Sequence, residues 1–371
     1  QYHSSAVTFD PIQWDPKAFA VMARDLGATY AVLTAKHHSG YALWDTATTG
    51  FSVVRGSPYG RDIVAKWVEA VRAEGLRVGI YLSLSDWSNP DYPAFTEADK
   101  PYRLGMSPPR PLPQQAARFI DYLKAQLSEI LTRFAPDLLW FDGGWERPVE
   151  WWKPQELEAH IRALAPDIVL NDRLTTVGDY ATPEQFVPSQ PLEGPWETCL
   201  TMNDSWGWVP DDTNYKSATA LIHTLCEVVG RGGNLLLNVS PMGNGAIPAQ
   251  QTERVSAITT WMASHREAII GVQPGLEPWQ FYGPSTRRDS RVYLHLLARP
   301  YEAITVRGVP VRRVKAATAL ASGKALEFTT HTSVIESFGA DPRGEVVIAI
   351  PAEVVDDHAT IVALDVEGPL V

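Results

Sequence analysis

Asp137-Leu-Leu-Trp-Phe-Asp-Gly-Gly-Trp145 is the stretch on which the reading of this chain turns. Residues 138–141 form a short apolar run that fits a strand buried on both faces. The run ends at Asp142. A carboxylate at the C-terminal tip of a buried strand sits where α/β barrels keep their reacting groups. Gly143 and Gly144 are expected to leave its approach sterically open, and Trp140 and Trp145 offer flat apolar faces suited to a sugar ring. An Asp before two glycines is also a common turn or helix cap, so the stretch has to be read in context.

Upstream, residues 11–27 have helical periodicity closed by Gly27, and the apolar run 30–35 follows as a strand delivering Lys36, His37, His38 and Ser39. Residues 62–74 read as a helix stopped by Gly75, and 78–83 as a strand leading into Asp86 and Trp87. The Pro- and Tyr-bearing connection 88–113 is of a length that is usually functional. A long amphipathic helix, 114–134, then feeds the opening stretch. Downstream, the spacing predicts a helix over 153–164, a strand over 168–173, a short strand over 198–202, a helix over 217–229, a strand over 233–239 and a helix over 250–265. This alternation indicates parallel βα units, and no GxGxxG follows a first strand. The fold class is therefore α/β, a (β/α)8-like barrel over residues 1–275. From about 277 the pattern changes to short alternating runs such as 291–296, 303–306 and 345–350, with no helical period between them. This predicts a C-terminal β-sandwich over 276–371. The chain opens on a helix and shows only six or seven barrel strands. A barrel short of a strand would expose a costly edge, so a first strand is expected upstream of Gln1.

Composition narrows the function. The 371 residues carry a net charge of −11 and no basic cluster, which suits neither nucleic acid nor an anionic membrane as partner. No apolar run approaches a membrane span, and no signal peptide is present, so the compartment stays open. Two cysteines make no disulfide framework. Thirteen tryptophans are many for this length, and several sit beside Gly, Pro or Asp as sugar platforms do.

Chemistry-bearing residues gather at the predicted strand ends. Consecutive strand residues point to opposite faces, so one of His37 and His38 aims at the mouth while the other supports it. Neutral imidazoles suit sugar hydroxyls and also metals, but no HxH or HExxH accompanies them, and no metal is expected. Arg173 suits holding hydroxyls or a carboxylate. Glycoside cleavage needs a second carboxyl that can be protonated, and desolvation beside aromatics can provide one. Glu184, on a loop, and Glu197, at a strand start, both qualify.

These motifs add up to a resemblance. Lys36-His-His-Ser-Gly-Tyr-Ala-Leu-Trp44, Tyr81, Trp140-Phe-Asp-Gly-Gly-Trp145, Asn171-Asp-Arg173, Trp196-Glu197, Ser205-Trp-Gly207 and Gly232-Gly-Asn-Leu-Leu-Leu-Asn-Val239 resemble the retaining α-L-fucosidases, glycoside hydrolase family 29, in the family's order. The resemblance implies a (β/α) barrel with a C-terminal β-sandwich. It also implies exo-acting double displacement without a cofactor on fucosylated glycans. By position, Asp142 resembles the nucleophile, and His37, His38, Trp44, Tyr81, Trp140, Arg173 and Trp206 resemble the fucose pocket. Glu184, inside Thr182-Pro-Glu-Gln185, resembles the acid/base and is placed above Glu197, which is kept among the substrate-binding residues. The same tetrapeptide resembles the branch preferring α1,3/α1,4-linked fucose. Two departures stand out. Ser39 occupies a position where the family usually has Asp, and the family's upstream strand ending in His before an aromatic and Gly has no counterpart here. Two rival readings follow: a catalytically impaired fucose-binding module, and a metal-dependent barrel hydrolase or isomerase using His37 and His38.

Overall fold

The computed structural model describes residues 2–96, 98 and 112–368; within the connection 88–113, positions 97 and 99–111 lie outside the described residues. By contacts the chain falls into two units, residues 1–182 with 241–247, and residues 183–240 with 248–371.

The first unit is built on a parallel sheet of β1 (Tyr30–Lys36), β2 (Arg77–Ser83), β3 (Leu138–Asp142) and β4 (Val169–Leu170), in that order. Helices Pro16–Asp25, Ile63–Ala73, Pro113–Phe134 and Pro154–Leu164 precede them in turn. Their starts follow from capping. Asp15 and Asp62 accept the backbone N–H groups of Ala18 and Ala65, so the helix expected from Pro11 begins at Pro16, after a short helix Tyr2–Ala6. Phe119, Ile120, Leu123, Leu127, Ile130, Leu131 and Phe134 form the buried stripe of the long helix. They share one core with Val78, Ile80 and Leu82 of β2 and with Leu139 and Phe141 of β3. Each such side chain contributes about 1.5–3 kcal/mol by leaving water.

Strand side chains alternate, so the intervening Tyr81, Ser83, Trp140 and Asp142 occupy the opposite face. The parallel register sets Tyr81 beside Trp140 and Ser83 beside Asp142. The strand expected over 168–173 is shortened to β4. Asn171 takes over the pairing with its side chain, its Oδ1 accepting the Phe141 N–H at 2.8 Å and its Nδ2 donating to the Phe141 carbonyl at 2.9 Å. An amide in place of main chain ends the ladder and frees Asp172 and Arg173 to turn away.

The second unit contains a parallel pair, β5 (Glu197–Leu200) with β6 (Asn234–Leu237), and helices Ala218–Gly230 and Ala249–His265. Nine short strands follow: β7 (Gln273–Pro274), β8 (Ser285–Arg288), β9 (Arg291–Leu296), β10 (Ala303–Pro310), β11 (Val314–Ala319), β12 (Lys324–Ala325), β13 (Phe328–His331), β14 (Arg343–Ala349) and β15 (Thr360–Val366). They make a sheet of order β12-β11-β15-β9-β8-β7 and a smaller one of order β10-β14-β13. Val292, Leu294, Val362 and Leu364 of the larger sheet share a core with Ile304, Val306, Val346 and Ile348 of the smaller, as in a sandwich. The expectation that no helix interrupts these strands is corrected by Val334–Ser337, a single turn capped by Ser333. Among the described residues, no helix is long and apolar enough to cross a membrane.

Behind the tips of β1 and β2 lies a fully buried ion pair. Lys36 Nζ is 3.3 Å from Asp86 Oδ2, and neither side chain is exposed to solvent. Lys36 also donates to Gln126 Oε1 at 2.8 Å, and Tyr122 donates to Asp86 Oδ2 at 2.7 Å. The other Asp86 oxygen accepts from the Ser88 hydroxyl and from the Ser88 and Asn89 N–H groups. Burial pushes the carboxyl up, but the Lys36 charge and these hydrogen bonds outweigh it and hold Asp86 below the usual carboxylate range. Asp86→Ala leaves Lys36 buried and unpaired and is expected to cost about 3–5 kcal/mol, whereas the double change Lys36→Met with Asp86→Leu is expected to recover most of that loss. Urea unfolding followed by tryptophan fluorescence checks this; an Asp86→Ala loss under ~1 kcal/mol shows that the pair is not isolated from water.

Candidate active site

Asp142 ends β3 with both carboxylate oxygens engaged. Tyr81 donates its hydroxyl to Oδ2 at 2.6 Å, and Arg173 donates Nη1 to Oδ1 at 2.9 Å. The Arg173 fork is itself held, Nε donating to Thr182 Oγ1 at 3.0 Å and Nη2 to the Thr182 carbonyl at 3.1 Å. Rings and guanidinium form a column: His37 stacks on Tyr81 with centroids 5.7 Å apart, Tyr81 on Trp140 at 5.4 Å, and Arg173 lies 4.7 Å from the Trp140 centroid. The in-register neighbours Tyr81 and Trp140 are the middle of that column. Such a stack fixes the carboxylate donors through packing as well as through hydrogen bonds.

His38 is buried beside the carboxylate, Nε2 lying 3.6 Å from Asp142 Oδ2. Its other nitrogen, Nδ1, is 2.5 Å from Ser83 Oγ. The same nitrogen is 3.0 Å from Ser85 Oγ, and Ser83 Oγ donates to the Ser85 carbonyl at 2.8 Å, so two hydroxyls meet the Nδ1 edge of the ring. Burial drives the His38 pKa down to about 4, the neighbouring His37 adding to the fall and Asp142 opposing it. His37 is lowered as well, first by desolvation, again against the Asp142 charge. Both rings are neutral at pH 7, and the His38–Asp142 contact is a dipole beside an anion rather than an ion pair.

Gly143 corrects an expectation. Its φ is +77°, and a Cβ there would sit 2.6 Å from Ser85 Oγ and 3.1 Å from the His38 ring; at Gly144 it would meet the Arg173 carbonyl at 2.9 Å. The glycines admit close packing by the site's own walls rather than opening a path. Trp145 stands 6.0 Å from His38, edge to face, and Trp87 5.4 Å from it; both are more than half exposed. Trp44, by contrast, is fully buried in the core, its indole donating to Glu129 at 2.8 Å. Thr182, Ser83 and Ser85 had no signal of their own in the sequence. Their roles depend on which strand positions lie side by side.

Glu184 and Glu197 both belong to the second unit. Glu184 is half-buried, and its Oε1 accepts from the Trp206 indole at 3.1 Å. Trp206 in turn accepts from Asn238 Nδ2 at 2.8 Å through its carbonyl. The segment bearing Glu184 is no free loop, because Glu184 bridges Cys199 of β5 in parallel fashion. Glu197 is 1% exposed and paired through its backbone with Asn234.

The ligand atoms of His37, His38 and Asp142 lie within 4.8 Å of one another, a group that could hold a metal ion. Its electrostatics are poor for a dication. A fixed guanidinium stands 2.9 Å from one carboxylate oxygen, and a phenol proton occupies the other.

Comparison with known proteins bears on this geometry. The family model described as Alpha-L-fucosidase matches residues 1–267. An α-L-fucosidase of Dictyostelium discoideum is 29% identical over 325 residues, which cover 84% of this chain and 68% of that protein. The solved structure of α-L-fucosidase isoenzyme 1 from Paenibacillus thiaminolyticus matches with a TM-score of 0.86 at 32% identity, over 99% of this chain and 90% of that one. A GH29 α-L-fucosidase from Bacteroides thetaiotaomicron, trapped as a covalent intermediate in complex with 2-fluoro-fucosyl fluoride, matches with a TM-score of 0.81 at 26% identity, over 97% of this chain and 84% of that one.

The neutral histidines carry a pH signature. His38 falls from an ordinary 6.5 to about 4 in the folded protein. Between those values the unfolded chain binds a proton that the folded site refuses, so stability declines as pH drops through that window and levels off below it. The contribution is about 3 kcal/mol. Histidine NMR is expected to show a midpoint near 4 for His38, and Asp142→Asn, which removes the anion that raises it, is expected to move that midpoint lower still. A His38 midpoint at 6 or above would refute the assignment.

Proposed function

Because the chain belongs to the α-L-fucosidase family, glycoside hydrolase family 29, we propose that it is an exo-acting retaining α-L-fucosidase with Asp142 as nucleophile and Glu184 as acid/base. One observation supports the reading above all: a carboxylate at a strand tip, its two oxygens held by Tyr81 and Arg173, among neutral imidazoles. A similar solved structure, the Bacteroides enzyme, is a trapped covalent intermediate, which supports a glycosyl-enzyme here. In the first step an Asp142 oxygen bonds to the anomeric carbon as the C–O bond to the leaving group breaks, and Glu184 gives that oxygen its proton. In the second step Glu184 takes a proton from water, the water oxygen bonds to the anomeric carbon, and the ester to Asp142 breaks. Tyr81 and Arg173 stabilise the departing carboxylate. His38 Nε2 offers a hydrogen-bonding group to a fucose hydroxyl, Trp206 packs the sugar's apolar face, and Trp44 is retained as a pocket residue on resemblance alone. We read the parallel strands as those of a (β/α) barrel and place the end of the catalytic domain near residue 275, where antiparallel strands take over. Linkage preference is read as α1,3/α1,4, which a panel of linkage isomers tests.

The metal-dependent reading draws on the His37, His38 and Asp142 group. Unchanged turnover after exhaustive chelation counts against it, and loss restored by an added divalent ion would establish it. The binding-module reading fails if an aryl fucoside is turned over at all.

Asp142→Asn is expected to lower kcat by at least ~10³-fold with the fold intact, and NMR of the wild-type reaction is expected to show α-L-fucose released first from an α-fucoside. A variant retaining more than about a tenth of the rate, a barrier change under ~1.4 kcal/mol, removes Asp142 from the role. Release of β-L-fucose first removes retention.

Glu184→Ala is expected to slow substrates with poor leaving groups far more than activated aryl fucosides, because the latter need little protonation, and azide is expected to restore part of its rate. Glu197→Ala is expected to reduce stability or sugar binding for all substrates alike. If leaving-group dependence and azide rescue belong to Glu197→Ala instead, the two roles are reversed.

A further inference from the structure

Resting on the reading of Glu184 as the acid, we infer that Gln185 is a positioning residue, a strained two-bond clamp that fixes the Glu184 carboxyl against β5. Two backbone hydrogen bonds bracket Glu184: the Gln185 N–H donates to the Cys199 carbonyl at 2.9 Å, and the Cys199 N–H donates to the Pro183 carbonyl at 3.1 Å. A bridge of one residue is a short anchor for a group that must meet a leaving oxygen.

The residue after Glu184 pays in strain for a second one. Gln185 has φ of +61°, a left-handed conformation that is strained for a non-glycine residue. Such a conformation persists only where its surroundings over-determine it. Here the side chain does so. Thr201 is fully buried, and its hydroxyl donates to the Asn203 carbonyl. Gln185 Nε2 donates to the Thr201 hydroxyl oxygen at 3.1 Å, while Gln185 Oε1 accepts the Thr201 N–H at 3.3 Å and lies 3.3 Å from the same hydroxyl. One primary amide thus meets a hydroxyl and a backbone N–H of one residue, which an aliphatic chain cannot do. The anchor is firm, because Lys216 Nζ donates to the Thr201 carbonyl at 2.7 Å.

The left-handed step sends the chain back along β5, where the Thr198 hydroxyl donates to the Phe186 carbonyl at 2.7 Å. Glu184 is therefore held at its backbone by the clamp and at its head by the Trp206 indole. A proton donor has to stay within hydrogen-bond reach of its oxygen. Loosening the backbone end harms proton transfer more than sugar binding.

The test compares Gln185→Met, which keeps the shape and loses both bonds, with Gln185→Gly, which also relieves the strained φ, and with Thr201→Ser, which keeps the hydroxyl. Glu184→Ala is the reference. Each is assayed on 2,4-dinitrophenyl α-L-fucoside and on a fucosylated oligosaccharide. Both Gln185 variants are expected to lose roughly 10–100-fold in kcat on the oligosaccharide. Their kcat/KM on the dinitrophenyl substrate, which reports the bond cleavage that needs no proton, is expected to stay near wild type, as are all rates of Thr201→Ser. Azide is expected to give them no rescue, since the carboxylate is still present. Should Gln185→Met not fold, Thr201→Val removes the same hydroxyl bond from the other side and carries the same expected pattern. An equal loss of kcat/KM on both substrates, or none on either, overturns the positioning role while a leaving-group effect in Glu184→Ala leaves the acid assignment standing. If Glu184→Ala itself shows no such effect, the acid assignment falls and this inference falls with it.

Discussion

A lysine and an aspartate sealed from water behind the tips of β1 and β2 set the terms for everything around Asp142. Desolvating two charges is expensive, and the expense is bearable only when every donor and lone pair nearby has a partner. Lys36 and Asp86 approach that condition through each other and through Gln126, Tyr122, Ser88 and Asn89. Lys36 directly precedes His37-His38, and Asp86 directly precedes Trp87, whose N–H donates to the His38 carbonyl at 2.8 Å. The pair therefore dictates where both site-bearing turns leave the sheet. It also requires Gly40, since a Cβ there would lie 2.1 Å from Asp86 Oδ1.

Given that frame, the electrostatics around Asp142 are economical. One guanidinium balances one carboxylate, and the remaining neighbours are neutral dipoles. Protonated histidines would add cations to a site already holding Arg173, and burial next to Lys36 makes that unfavourable. A ligand presenting hydroxyl groups meets neutral dipoles and aromatic faces beside the balanced pair. Such an environment discriminates through hydrogen-bond geometry, where a misplaced polar group costs more than a missing methylene.

How much of this could be read without coordinates depends on what each feature rests on. The run 138–141 and its terminal Asp142 were legible because burial on both faces and an abrupt polar stop are local properties. The β-sandwich was legible for a similar reason, as alternation within each strand. The end of β4 was not, because Asn171 replaces main-chain pairing with a side-chain amide and leaves no trace in periodicity. Ser83 and Ser85 were invisible because their meaning comes from register across to β3 and back to His38. Gly143 was noticed for the wrong reason, since only the positions of Ser85 and His38 show what a side chain there would strike. The choice between Glu184 and Glu197 stayed open on the residues alone and was tilted only by family resemblance.

The two carboxylates are held by different physical means, and that difference explains their unequal legibility. Asp142 ends a buried strand and is held by Tyr81 of the adjacent strand and by Arg173 just past β4, so a pattern of strands already points to it. Glu184 sits on a one-residue bridge, steadied by an amide on a strained backbone and by an indole N–H. None of those contacts follows a period. In the proposed roles, a nucleophile that must form a covalent bond benefits from the stiffness of a strand tip. The proposed acid, later a base, needs its direction set while its protonation changes, and a neutral clamp such as the one proposed for Gln185 would do this without imposing a charge of its own.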